Sequence, residues 1–81
     1  MNSELLNELN KKEEEKEKLK NFINVLIKVL NNLYDSKNKG NINETLENEI
    51  NSIECQISEL NQELNDIEIE ILKMKNVIIN S

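Results

Sequence analysis

The chain has 81 residues, a net charge of −6, 2% aromatic residues, no proline, no histidine and a single glycine. A chain of this length buries only about 60% of the surface its unfolded form exposes, and one Phe with one Tyr offer little to fill a thick core, so independent stability is marginal, a thick globular core is not expected, and partners are. One Cys and no His leave no internal disulfide and no residue set for zinc, and no cofactor is implied.

Charge is unevenly placed. Residues 1–40 carry eight Lys against seven acids, and residues 41–81 carry two Lys against nine acids. Phosphate backbones and anionic membrane surfaces are bound by clustered Lys or Arg, so neither nucleic acid nor membrane is an expected partner; protein is. All ten basic residues are Lys, Arg and Ala are absent, and Asn, Lys and Ile abound. Their A/T-rich codons point to an A/T-rich genome, such as a low-GC bacterium, its phage or a protozoan, and the many Asn read as drift on solvated faces.

The opening MNSELLNELNKKEEE has no basic stretch followed by an apolar one. A Sec-type signal peptide is therefore not expected, and the cytoplasm is the expected compartment. From about residue 3 to 39 a first helix is predicted, with a heptad seam of Leu5, Leu9, Lys12, Lys16, Leu19, Ile23, Leu26, Leu30 and Leu33. Two lysines interrupt that seam within KKEEEKEK, where Glu and Lys still favour helix.

Within NFINVLIKVLNNLY the seam takes Ile23, Leu26, Leu30 and Leu33, leaving Phe22, Val25 and Val29 at the same spacing on an adjacent face. A second stripe implies a second helical partner, either another copy of the chain or a different protein. Tyr34 is expected to cap the packing beside the turn.

The turn is predicted at about 40–43. Lys37 and Lys39 suit the negative end of a helix, Gly40 a left-handed cap, and Asn43 the start of the next helix, with Glu44 and Glu47 in its first turn. A second helix over about 44–79 has an unbroken seam: Leu46, Ile50, Ile53, Ile57, Leu60, Leu64, Ile67, Ile71, Met74 and Ile78. The fold class is thus all-α, an antiparallel two-helix hairpin that can associate into a helical bundle, about 50 Å long at the usual helical rise.

If paired residue numbers sum to 83, Leu30 meets Ile53, Ile23 meets Leu60 and Leu5 meets Ile78, and both chain ends finish level. A register one heptad shorter is the alternative. Opposite Ile67 and Ile71 the first helix then offers Lys16 and Lys12. Either the lysine stems cover the isoleucines, or that end is a docking groove for an amphipathic helix, with Ile69, Leu72 and Ile79 beside it off the seam.

Glu47, Glu49, Glu54, Glu63, Glu68 and Glu70 flank the second seam, so two copies of that helix repel in a parallel pair. Cys55 falls on the outward face. No nucleophile and base, phosphate loop or Cys/His cluster is spaced for chemistry, and the expected role is non-enzymatic: an adaptor, small chaperone or assembly factor. The hairpin plan resembles the WXG100-like proteins of type VII secretion, which carry Trp-x-Gly at the turn where this chain has Lys37, Asn38, Lys39 and Gly40. That resemblance implies a partner or substrate of a secretion system. The acidic second helix alone suggests an inhibitor or antitoxin of a basic protein.

Overall fold

The computed structural model describes residues 3–41 and 43–80 and consists of two helices, α1 (Ser3–Asn38) and α2 (Glu44–Asn80), packed antiparallel. With no proline in the chain, nothing interrupts either helix. The rod measures 60 × 15 × 14 Å, longer than thirty-six residues of helical rise because the turn adds to one end.

The turn supplies partners for several backbone groups at the two helix ends. Gly40 sits at φ 92°, in the left-handed region where a Cβ is penalised. The Asn41 N–H donates to the Ser36 carbonyl at 3.1 Å and the Gly40 N–H to the Lys37 carbonyl at 3.1 Å. That pair of bonds is the Schellman closure of α1. Asn43 then caps α2: its Oδ1 accepts from the Leu46 N–H at 2.7 Å, and its carbonyl accepts the first helical bond, from the Glu47 N–H at 3.1 Å.

The predicted seam is the observed core. Ile23, Leu26, Leu46, Ile50 and Ile71 are buried, and every other seam position on both helices is half-buried. None of the described side chains falls below 2% exposure. Two helices enclose a residue from one side only, so each layer stays open at its edges.

Cross-helix contacts fix the register. Lys12 meets Glu70, Lys37 meets Glu47, Glu13 meets Lys75 and Tyr34 meets Glu54. These lie within a few residues of the pairing in which numbers sum to 83. The shorter register would set Lys12 against Leu64 and is not the one adopted.

Candidate interaction surface

The seam divides the hairpin into two flanks, and they differ. On one, residues just outside the seam are stitched across the helices: the Tyr34 hydroxyl donates to Glu54 Oε2 at 2.7 Å, Lys37 Nζ lies 3.0 Å from Glu47, and Lys75 Nζ lies 3.4 Å from Glu13. Exposed ion pairs of this kind contribute little stability; their value here is that they occupy the space. The Tyr34 pKa is raised above the usual phenol value, first by the hydrogen bond to Glu54 and then by desolvation of the hydroxyl. An indentation on this flank beside Leu30 and Ile57 has a polar rim of Glu54, Ser58 and Asn61, and Ile27 is exposed on α1.

The other flank is open. Phe22, Val25 and Val29 lie along α1 with 51%, 54% and 39% of their surface exposed. Phe22 stands between two grooves. The larger, about 410 Å³, is lined by Glu15, Lys18, Leu19, Phe22, Glu63 and Ile67. The smaller, about 210 Å³, is lined by Phe22, Gln56, Glu59 and Leu60. Among the described residues, the polar contact that crosses this flank is Lys12 Nζ to Glu70 Oε2 at 2.8 Å, toward the end carrying both chain termini, with Glu15 a further 3.8 Å neighbour of the same ammonium. Among the described residues, no hydrogen bond or ion pair joins the helices on this flank between Glu15 and Val29.

Lys12 explains how the interrupted stretch of the seam packs. Its ammonium is held by Glu70, which raises its pKa through the hydrogen bond and then through charge attraction, and Ile71, next to Glu70, keeps only 3% exposure. The stem covers the seam while the charge stays in water. The expectation that Ile71 lines a docking groove is therefore corrected: it is core. Ile67 is half-buried and forms part of the floor beneath Phe22. Ile69 and Leu72 do face outward, 43% and 62% exposed, together with Val77 and Ile79.

Sequence reasoning places Phe22, Val25 and Val29 on one face but misses the wall opposite them, Gln56, Glu59 and Glu63. The signal was present: Phe22 and Glu63 both occupy the position just before an inward residue, and in an antiparallel pair such positions meet across the seam. Cys55 is exposed, as its outward position predicts, with Sγ 3.7 Å from Glu59 Oε1. Among the described residues, no group of three or more His, Cys, Asp and Glu is placed to hold a metal, and no helix is long and apolar enough to cross a membrane. Comparison with known proteins brings no match: no family model, no curated protein and no solved structure resembles the chain significantly.

Proposed function

We propose that this chain is a non-enzymatic protein–protein interaction module, an adaptor, small chaperone or assembly factor that binds helical surfaces along the open flank. The observation that carries the reading is the exposure of Phe22, Val25 and Val29 in line beside a seam that packs without them. Full burial of such a side chain contributes about 2 kcal/mol, and roughly half of each remains to be buried, so covering the stripe is worth about 3 kcal/mol by the same measure. That is a factor of about a hundred in an association constant. An exposed run of this kind is what soluble monomers avoid.

The test replaces all three residues with Gln. Gln is a better helix former than Phe or Val, so helical content should hold while the associated species disappears in light scattering or a bound partner is lost from the native host extract. Unchanged mass, unchanged partners and an unchanged melting point would overturn the reading.

A further inference from the structure

We infer that the groove astride Phe22 receives an amphipathic helix from a different protein, one carrying Lys or Arg along the flank that faces α2. The inference rests on the interaction-module reading and specifies its partner.

The two walls of the groove differ in kind. Along α1 the exposed stripe of Phe22, Val25 and Val29 is apolar, with Lys18 and Glu15 beside Phe22 at the end of the larger groove. The α2 wall presents Gln56, Glu59 and Glu63. Neither Glu59 nor Glu63 is in an ion pair among the described residues, whereas Glu70 further along is already matched by Lys12. A third helix laid between the walls would set an apolar ridge on Phe22 and the floor residues Leu19, Leu60 and Ile67, and one flank on the carboxylates of Glu63 and of Glu59, which accepts from the Cys55 thiol at 3.7 Å. Positive charge on that flank meets them; negative or apolar residues there leave them desolvated and unmatched.

A second copy of the chain fits this face poorly. With a twofold axis along the rod, each apolar stripe lies on the other copy's Gln56 to Glu63 wall. With the axis across the rod, the stripes meet but so do the two acidic walls, and like charges face each other.

The experiment uses the full chain and two synthetic 21-residue helical peptides with identical Leu and Ile ridges, one with Lys on the flanks and one with Glu, read by fluorescence anisotropy. The Lys peptide should bind at least tenfold more tightly. Glu59→Gln with Glu63→Gln should remove most of that preference, while Glu44→Gln with Glu68→Gln, the same charge change away from the groove, should leave it. Gln at positions 22, 25 and 29 should weaken the Lys peptide at least tenfold with circular dichroism unchanged. Equal binding of the two peptides, or equal loss in the two Glu pairs, would overturn the inference. A chain that sediments as a dimer through the same stripe, undisturbed by the Lys peptide, would overturn it too while leaving the interaction module standing. If neither peptide binds and the stripe variant of a monomeric chain changes nothing, both readings fall.

Discussion

Tyr34 and Glu54 are twenty residues apart in the chain and 2.7 Å apart in space, phenol hydroxyl to carboxylate. The bond needs the tyrosine proton. Because the folded pKa is raised above its ordinary value near 10, the contribution is fully present below that value and is lost as pH rises through the higher folded one. Thermal melts of the chain should therefore fall as pH rises past the ordinary phenol value near 10. Part of that fall comes from lysine deprotonation, so Tyr34→Phe is the control, and it should melt lower at pH 9 and show a smaller drop. Parallel pH curves for the two proteins would mean the bond is not held in solution.

The cap at the turn makes a sharper prediction. A Cβ built at Gly40 meets nothing within 4 Å, so Gly40→Ala suffers no clash and its cost is the left-handed backbone alone, about 1 kcal/mol. Gly40→Asn should cost less. Asn43→Ala, which removes the acceptor for the Leu46 N–H, should cost about 1 kcal/mol as well. Urea unfolding measures all three, and a neutral Gly40→Ala would show that the turn does not hold φ 92° in solution.

Register is open to cysteine cross-linking in a Cys55→Ser background. Ile23→Cys with Leu60→Cys should close readily, and Ile23→Cys with Ile53→Cys should not, since seven residues of α2 separate the two sites. The reverse preference would require the shorter register and with it a different set of flanking neighbours for Phe22.

Replacing Lys12 and Lys16 by Leu completes the seam opposite Ile71 and Ile67. Exposed charge pairs of the Lys12 and Glu70 kind give back little, and an apolar layer adds buried area, so the melting midpoint should rise by a few degrees. A lower midpoint would mean that the lysine stems already pack better than leucine can.

The seam and the turn were legible because each depends on residues close in sequence: the alternation of three and four through Leu46 to Ile78, the single Gly40, and the cap at Asn43. The difference between the flanks was not. Whether Glu54 closes a flank depends on finding Tyr34 opposite it, and that follows only from the pairing of two helices across the whole rod. Ile71 shows the same limit. A lysine opposite it in the seam looks like a gap until the direction of the stem is known, and that direction is set by Glu70.

Because the chain reverses once, at Gly40, Ser3 and Asn80 lie together at the opposite end of a 60 Å rod. Tension applied between those two points does not shear the seam; it peels it. Each layer then carries the load alone and gives way before the next is reached, starting from the layers near the termini and passing through Lys12 and Lys16, where lysine stems stand in the seam.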